Sequence, residues 1–116
     1  MSGATPHAIL SAIQGGDPQA AVRLGRERLA DLPDDGETWF LLGIAQRRLG
    51  DSAGAVQSYR HALGTHAAHA DVWFNLGNAL QDLGEVAQAL EAYAAAIGRQ
   101  PDHVGAREQI VRLAPA

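Results

Sequence analysis

The chain has 116 residues, a formal net charge of −4 and no cysteine, and 47% of its residues are hydrophobic. The absence of cysteine excludes disulfide bonds, thiolate zinc sites, iron–sulfur clusters and cysteine nucleophiles, and the acidic balance disfavours a nucleic-acid partner, which normally requires a basic face. No apolar run approaches the roughly 20 residues of a membrane span, and the N-terminal segment lacks the features of a signal peptide. We therefore expect a cytoplasmic protein of one domain or a short repeat array, with neither a nucleic-acid nor a membrane partner.

The first two predicted helices begin at clear start signals. Thr5 can cap a helix that has Pro6 at its first position, and Asp17 can do the same for a helix that begins with Pro18. Pro33 then falls in a loop after the second helix, where its missing N–H does no harm.

The next two helices are predicted by their apolar stripes. The buried face of the third helix follows the i, i+3, i+4, i+7 spacing, at Trp39, Leu42, Gly43, Gln46 and Leu49. Gly50 is expected to end this helix with a positive φ, and Asp51 to cap the next one. The fourth helix carries a similar stripe, at Ala55, Val56, Tyr59, Ala62 and Leu63.

An internal repeat organises these helices. A shift of 34 residues lays residues 36–69 over residues 70–103 with thirteen identities, a weaker copy lies over residues 3–35, and a fourth copy stops after one helix. No copy can bury its own apolar faces, so the copies must stack. The sequence thus predicts an all-α single domain over residues 1–116, a superhelical array of antiparallel helix pairs with repeats at about 3–35, 36–69 and 70–103 and a C-terminal capping helix at about 103–113.

The composition suits close packing between the helices. The chain has 23 alanines, and small residues recur at equivalent positions of the copies, at Ala45, Ala55, Ala62, Ala79, Ala89 and Ala96. We expect the rings of Trp39, Tyr59, Trp73 and Tyr93 to fill the gaps between the helices. The last helix is expected to cover the end of the third copy with Val104, Ile110, Val111 and Leu113, and to leave Arg107, Glu108 and Arg112 in water.

The period and its motif resemble the tetratricopeptide repeat, in which Trp-x2-Leu-Gly is followed by Ala-x3-aromatic and then by Pro. The third copy matches this pattern at Trp73, Leu76, Gly77, Ala89, Tyr93, Ala96 and Pro101, while the second copy has Ala67 where proline is usual. The resemblance covers roughly residues 5–113. It implies a non-enzymatic scaffold that binds a protein or peptide in a concave groove lined by the first helix of each copy.

By that resemblance, the partner-binding groove positions are Phe40, Ile44, Arg47, Arg48, Phe74, Asn75, Asn78 and Gln81, with Leu10, Ile13, Gln14, Glu37, Asp71 and Asp82 beside them. Two interpretations stay open for the phenylalanines and for the arginines. The two phenylalanines are either partly buried core residues or part of an apolar strip for an amphipathic helix. The arginines either face solvent or bind peptide carboxylates, and the asparagines can pair with a ligand backbone.

Two other functions are also open. The chain can be the N-terminal positioning module of a larger bacterial enzyme of the glycosyl- or sulfotransferase type, since residues 113–116 look like the start of a linker. Residues 75–80 also resemble the repeats that precede the glycosyltransferase domain in protein O-linked sugar transferases. The asparagine ladder of those repeats is interrupted here, where Leu41 occupies the position equivalent to Asn75. A short array can also self-associate into a homo-oligomer through its exposed end faces.

No motif for catalysis or cofactor binding occurs. The chain lacks a glycine-rich phosphate loop, His-Glu-x-x-His and Gly-x-Ser-x-Gly, so we expect no enzyme activity and no cofactor. One cluster of ligand-type residues, His61, His66, His69 and Asp71, surrounds a turn and is interpreted as solvated loop histidines rather than as a metal site. Asp34 and Asp35 are expected to serve a turn or a helix start. The lysine–asparagine clamp with which some members of the resembled family hold a C-terminal carboxylate is expected to be absent, because the chain has no lysine.

Overall fold

The predicted stripes and start signals become helices in a computed structural model, which describes residues 3–65 and 68–115. In this part of the chain the structure consists of seven α-helices joined by short turns, without strands. The helices are α1 (Pro6–Gln14), α2 (Pro18–Asp31), α3 (Gly36–Arg48), α4 (Ser52–Leu63), α5 (Ala70–Asp82), α6 (Val86–Arg99) and α7 (Val104–Leu113). The predicted all-helical repeat array is therefore confirmed.

Side-chain caps begin three of the helices as predicted. Oxygens of Thr5, Asp17 and Asp51 each accept a hydrogen bond from the backbone N–H three residues on, at 3.0, 3.1 and 2.9 Å. Each bond satisfies one of the N–H groups that the first turn of a helix leaves without a partner. Glu85, which precedes α6 at the position equivalent to Asp51, makes no such bond.

Asp35 begins α3 in a different way. Its carboxylate accepts hydrogen bonds from Arg28 Nε at 2.6 Å and from Thr38 Oγ1 at 2.7 Å, and thereby ties the end of α2 to the start of α3. Burial would raise the pKa of Asp35, but the hydrogen bonds from Arg28 and Thr38 outweigh it and lower the pKa below its ordinary value. The carboxylate thus has a structural role in the turn between these helices.

Glycines with positive φ follow three of the helices. Gly16, Gly50 and Gly84 have φ values of +79°, +84° and +77°, so the predicted helix end at Gly50 is confirmed. Leu49, which precedes it, is 43% exposed. Its assignment to the buried stripe of α3 was wrong, because the helix ends at Arg48 and the chain turns away from the core there.

Small residues form the contact surface between the helices, as predicted. The six alanines at equivalent positions are all fully buried, and Tyr59 and Tyr93 are the largest fully buried side chains of the described residues. A Cβ at Gly43 would overlap the Tyr59 ring, and a Cβ at Gly77 would lie 2.5 Å from Cε1 of Tyr93. Glycine on a first helix and tyrosine on the following second helix therefore form a complementary pair that occurs twice in the array.

The packing of α7 corrects one expectation. Val104 and Val111 are 66% and 80% exposed, so they do not cover the end of the array. The helix packs instead through Ala106, which is fully buried, and through the partly buried Ile110 and Leu113. Because these three residues follow the i, i+4, i+7 spacing, they share one face, whereas Val104 and Val111 lie on another.

The helix pairs stack into an elongated array of 52 × 26 × 20 Å. Consecutive first helices are in direct contact, α1 with α3 and α3 with α5, whereas open grooves of about 410 and 570 Å³ separate the second helices α2, α4 and α6. Because the first helices lie closer together, the array curves with these helices on its inner side. Among the helices described, none combines the length and the apolar character needed to cross a membrane.

Candidate functional site

The inner side of the array carries the side chains that the sequence proposed for a groove. Phe40, Ile44, Arg47 and Arg48 lie on α3, and Phe74, Asn75, Asn78 and Gln81 lie on α5. Their contacts differ in kind. The two phenylalanines make aromatic contacts with the core. One of the arginines forms an ion pair between the two helices, and the amides near the end of α5 form a network around a tyrosine.

Phe40 and Phe74 are half-buried and pack towards the second helices. Their ring centroids lie 6.0 and 5.8 Å from those of Tyr59 and Tyr93, respectively. Phe74 also contacts the start of α7, where its ring centroid lies 4.8 Å from that of His103. Both rings therefore belong in part to the core, and their exposed edges contribute to the surface between the helices.

An ion pair joins α3 to α5. Arg47 donates hydrogen bonds to Asp82 from Nε at 2.7 Å and from its terminal nitrogen at 3.1 Å, and Ser52 Oγ donates a third at 2.7 Å. The hydrogen bond from Arg47 lowers the pKa of Asp82 in spite of burial, and the same bond raises the pKa of Arg47. The charge of Arg47 is therefore neutralised within the protein.

Arg48 and Asn75 make contacts with neutral backbone groups. Arg48 donates to the carbonyl oxygen of Ile13 at 3.1 Å, which links α3 to the end of α1. Asn75 Nδ2 donates to the carbonyl oxygen of Asp71, one turn earlier in α5, at 2.8 Å. Among the described residues Arg48 forms no ion pair, so its charge is not balanced locally.

The hydroxyl of Tyr93 lies in a network of amide side chains. It donates to Asn78 Oδ1 at 2.7 Å and accepts from Gln81 Nε2 at 2.5 Å. Gln81 also donates to Gln109 on α7 at 3.0 Å and accepts from Arg112 at 3.1 Å. Both amides that were proposed as ligand-binding groups on this part of α5 are thus engaged within the protein, and Arg112, although exposed, contributes to the contact between α5 and α7.

The equivalent hydroxyl, on Tyr59, has no such network. Tyr59 is fully buried, and its hydroxyl oxygen has no hydrogen-bond partner in the described part of the protein. The sequence explains the difference, because the position of Asn78 is taken by Ile44 and that of Gln81 by Arg47, whose guanidinium is bound to Asp82. A buried hydroxyl without a partner is unusual in a folded protein.

A cavity of about 270 Å³ opens between α3 and α5. Its lining combines four of the eight proposed groove residues with two others: Ile44, Arg47, Arg48, Asn75, Tyr59 and Asp82. The other four, Phe40, Phe74, Asn78 and Gln81, do not line it. The sequence analysis assigns Tyr59 to the core alone. The signal that could have identified it as a cavity residue is Ile44, an apolar side chain at the position where the next copy has an amide.

The outer side of the array shows two further grooves with a structural origin. The groove between α2 and α4 and the groove between α4 and α6 are lined by residues that correspond one to one at a separation of 34 positions. Such a repeated groove follows from the stacking of the second helices. In the groove between α2 and α4, Trp39 donates a hydrogen bond from Nε1 to the carbonyl oxygen of Pro33 at 2.8 Å. The Trp39 ring also stacks on that of His61, with ring centroids 4.2 Å apart.

The histidine cluster does not assemble as a group in the described structure. His69 precedes α5 without a side-chain cap, and Asp71 is bound at 2.9 Å by Nε2 of His103, whose Nδ1 accepts the N–H of Ala106 at the start of α7. Over residues 3–65 and 68–115, no three histidine, aspartate or glutamate side chains are placed to hold a metal ion. Two residues named in the sequence analysis lie outside the described residues. They are His66, a member of the histidine cluster, and Ala67, which stands where proline is usual in the repeat.

Comparison with known proteins identifies the repeat. Two family models, both described as tetratricopeptide repeat, match residues 8–70 and residues 70–103. Together they cover most of the chain, and the boundary between the two matches falls at the start of α5. No curated protein sequence matches the chain.

Solved structures share the fold. A crystal structure of MamA superposes with a TM-score of 0.87 at 21% identity, over 95% of this chain and 67% of that chain. The first tetratricopeptide domain of Spaghetti (RPAP3), bound to the HSP90 peptide SRMEEVD, gives 0.88 at 15% identity, over 92% and 85%. The O-GlcNAc transferase of Thermobaculum terrenum gives 0.83 at 28% identity, over 97% of this chain but only 22% of that chain.

Proposed function

Because this chain belongs to the tetratricopeptide repeat family, we propose that it is a non-enzymatic scaffold that holds a segment of a partner protein against the inner side of its array. The observation that carries the proposal is the cavity between α3 and α5, which combines apolar, charged and amide groups. A bound peptide uses such groups together, because apolar pockets take its side chains and polar groups pair with its backbone. The scaffold is one domain over residues 1–116, with repeats at about 3–35, 36–69 and 70–103 and a capping helix at about 103–113.

The solved relatives support a peptide as the ligand. The RPAP3 domain holds an HSP90 peptide, and this chain superposes on 85% of it. The net charge of −4 disfavours a nucleic acid, which normally binds to a basic face, and thereby supports a protein partner. The proposal places the protein in the cytoplasm and includes no cofactor. The proposed binding groups are Phe40, Ile44, Arg47, Arg48, Phe74 and Asn75, with Asn78 and Gln81 positioning Tyr93 beside them.

The test uses peptides selected on the protein itself. Random 12-residue peptides displayed on their encoding messenger RNA would be selected against the immobilised chain, and the affinities of the recovered peptides measured by fluorescence anisotropy. We expect Phe40→Leu, Arg47→Gln and Asn75→Ala each to weaken binding, with at least one loss of about fivefold or more, since few interface residues carry most of the affinity.

The matched control is Arg99→Gln, which removes the same charge from the exposed end of α6, away from the inner side. It should leave affinity within about twofold of the unsubstituted chain, because isolated exposed charges contribute little. Unchanged affinity in all three groove variants, or failure to recover any binding peptide, would contradict the proposed function.

A second candidate function rests on the transferase relative. The chain matches a segment that makes up 22% of the Thermobaculum terrenum O-GlcNAc transferase, at 28% identity. A module of this kind would position substrates or partners for a catalytic domain that follows it. Determining the reading frame after Ala116 tests this candidate, and a stop codon at that point would contradict it.

Self-association is a third candidate, favoured by the exposed apolar side chains of α7. Val104 and Val111 lie on one face of this helix and are 66% and 80% exposed. Two copies could bury these faces against each other at the end of the array. Light scattering at protein concentrations between about 1 and 100 μM, roughly the range in which weak dimers form, would detect such a dimer. A monomer at every concentration in this range would contradict self-association.

A further inference from the structure

The two grooves on the outer side of the array differ in how they are filled. In the groove between α2 and α4, the His61 ring covers Trp39, with the two ring planes only 13° from parallel. In the same groove Ser58 Oγ donates a hydrogen bond to Gln46 Oε1 on α3 at 2.5 Å. The aromatic surface and these polar groups are therefore satisfied within the protein.

The groove between α4 and α6 is open and apolar instead. The positions equivalent to the three side chains that close the first groove, His61, Ser58 and Gln46, hold Ala95, Ala92 and Leu80. No ring stacks on Trp73 in the described part of the chain, so its indole borders the groove together with Leu63. The groove has a volume of about 570 Å³, against about 410 Å³ for the first. An uncovered apolar surface of this kind is typical of a protein contact site.

The two rims of this groove carry opposite charges. Arg60 lies on α4 and Glu91 on α6, and both side chains are exposed. Arg60 donates a hydrogen bond to the neutral Gln88 at 3.1 Å, and within the described residues neither charge belongs to an ion pair. The groove thus combines an apolar floor with a cationic rim and an anionic rim.

A surface of matching shape lies on α7. Val104 and Val111 are 66% and 80% exposed and are the two most exposed large hydrophobic side chains of the described residues. They are seven residues apart, which places them on one face of the helix at a separation of about 10.5 Å. The wall of the groove on α6, from Gln88 to Ala95, also spans seven residues, so the ridge of the two valines matches it in length.

Charged side chains flank the ridge of the two valines. Because each residue turns a helix by roughly 100°, Arg107 and Glu108 lie on opposite sides of this ridge. Both are exposed, and neither forms an ion pair over residues 3–65 and 68–115. The α7 face is therefore an apolar ridge between a cation and an anion, which complements a groove between an anion and a cation.

We propose that the exposed face of α7 in one copy of the protein docks into the groove between α4 and α6 of a second copy. The two valines of α7 then contact the floor around Trp73. Of the flanking charges, Arg107 pairs with Glu91 on the α6 rim. Glu108 pairs with Arg60 on the α4 rim, and this pairing fixes the direction in which α7 runs along the groove.

The contact is heterologous, because it joins two different surfaces of the same chain. Each bound copy keeps either its own α7 or its own groove free, so further copies can add head to tail. A convex helix face in a concave groove buries more of the two valines than the contact of two α7 faces does. The inference rests on the self-association candidate and specifies its interface, and it is independent of peptide binding because it leaves the inner side free.

The experiment blocks each surface in turn and measures association by sedimentation velocity between about 1 and 100 μM, as for a small, weak interface. Val111→Asp places a charge on the α7 ridge. Ala95→His places in the groove the side chain that covers Trp39 in the first groove, so the fold should accept it. We expect the unsubstituted chain to associate and each variant to do so at least about tenfold more weakly. Ala94→His, the same change at an exposed neighbour on α6, is the matched control and should leave association within about twofold.

Mixing the two blocked variants identifies the interface. The Val111→Asp copy supplies only an intact groove, and the Ala95→His copy supplies only an intact α7. An equimolar mixture should therefore form a one-to-one dimer that does not grow further, although each variant alone is monomeric. If Ala95→His alone still associates, as for contact between two α7 faces, or if the mixture stays monomeric, the inference is overturned.

Charge reversal tests the orientation of α7 and decides the matter if Ala95→His does not fold. Arg107→Glu and Glu91→Arg should each weaken association roughly two- to fivefold, as for an exposed ion pair. The two changes in one chain should restore association to within about twofold of the unsubstituted protein, because the pair is re-formed with exchanged signs. Association that neither reversal alters would overturn the inference.

The results separate this contact from the proposed function. A monomeric chain throughout the concentration range would overturn the inference, whereas the selected peptides could still bind on the inner side. Val111→Asp and Ala95→His should leave the affinities of those peptides within about twofold, since both residues lie away from the inner side. Thermal unfolding of each variant verifies that it folds.

Discussion

Arg47 in the last turn of α3 and Asp82 at the end of α5 are joined by two hydrogen bonds of 2.7 and 3.1 Å. They link residues 35 positions apart and hold consecutive first helices in register along the inner side. A carboxylate at the C-terminal end of a helix is normally disfavoured by the helix dipole. Arg47 offsets that effect, and Ser52, the first residue of α4, adds a third bond to the same carboxylate.

This ion pair predicts a pH-dependent contribution to stability. The pKa of Asp82 is lowered from 3.8 by the hydrogen bonds from Arg47 and Ser52, so the folded state favours the ionised carboxylate. The contribution is therefore present above the unfolded pKa and is lost as the pH falls through the lower folded pKa. We expect Asp82→Asn to lower the free energy of unfolding at pH 7 by roughly 0.5–1 kcal/mol, as for a partly exposed pair, and by less at about pH 3.5.

Urea unfolding of both proteins at the two pH values measures this difference. Glu91→Gln is the control, since Glu91 is exposed on α6 and forms no ion pair within the described structure. A destabilisation by Asp82→Asn that is equally large at both pH values would show that the ionised carboxylate is not its source.

The close contact between Gly43 and Tyr59 predicts a large effect of one methyl group. A Cβ at Gly43 would overlap the tyrosine ring, which is fully buried and cannot move aside without disturbing α4. We expect Gly43→Ala to lower the free energy of unfolding by about 1–3 kcal/mol, measured by urea unfolding, because overpacking of a dense core has that cost.

Gly98 offers the matched control for the same substitution. It also lies within a helix, but apart from the backbone of its own helix a Cβ there would meet no atom of the described residues within 4 Å. Gly98→Ala should therefore stabilise the protein by about 0.5–1 kcal/mol through helix propensity alone. If both substitutions changed stability in the same direction, packing against Tyr59 would not be the controlling factor.

The fold was predictable where a local signal and the repeat agreed. Gly50 ends α3 with positive φ and Asp51 caps α4 because each depends only on its own neighbourhood, and the buried alanines and tyrosines were predictable because they recur at equivalent positions in the next copy. The packing face of α7 was not predictable in this way. That helix has apolar residues on two faces, and only the position of α6 decides which of them is buried.

The candidate site was predictable only in part, because its contacts join distant residues. Two adjacent arginines, Arg47 and Arg48, look alike in the sequence, and the direction of each side chain decides that one meets Asp82 and the other the end of α1. The hydroxyl of Tyr59 lacks a partner in the described part of the chain because Ile44 stands where the next copy has an amide. That exchange is visible in the sequence, but its consequence depends on the geometry between α3 and α4.

The two equivalent tyrosines predict opposite responses to the same substitution. Tyr93→Phe removes a hydroxyl that is hydrogen-bonded to Asn78 and Gln81, so each of these amides loses one partner. We therefore expect it to destabilise the protein by about 1–2 kcal/mol. Tyr59→Phe removes a buried hydroxyl that has no partner among the described residues and should be neutral or slightly stabilising, within about 0.5 kcal/mol. Thermal or urea unfolding of the pair measures this contrast, and equal destabilisation by both would refute it.

A side chain that is shorter by one methylene group at position 85 should cap the start of α6 better. Glu85 stands where Asp51 caps α4, but its longer side chain accepts no hydrogen bond from a backbone N–H of the first turn, and within the described structure it bonds instead to the side-chain Nε2 of Gln88 at 3.3 Å. Glu85→Asp should therefore create the cap and raise the free energy of unfolding by about 0.5–1 kcal/mol, whereas the reciprocal Asp51→Glu should lower it by a similar amount. Urea unfolding of both variants at pH 7 tests the pair, and the idea fails if Glu85→Asp is destabilising while Asp51→Glu has no effect.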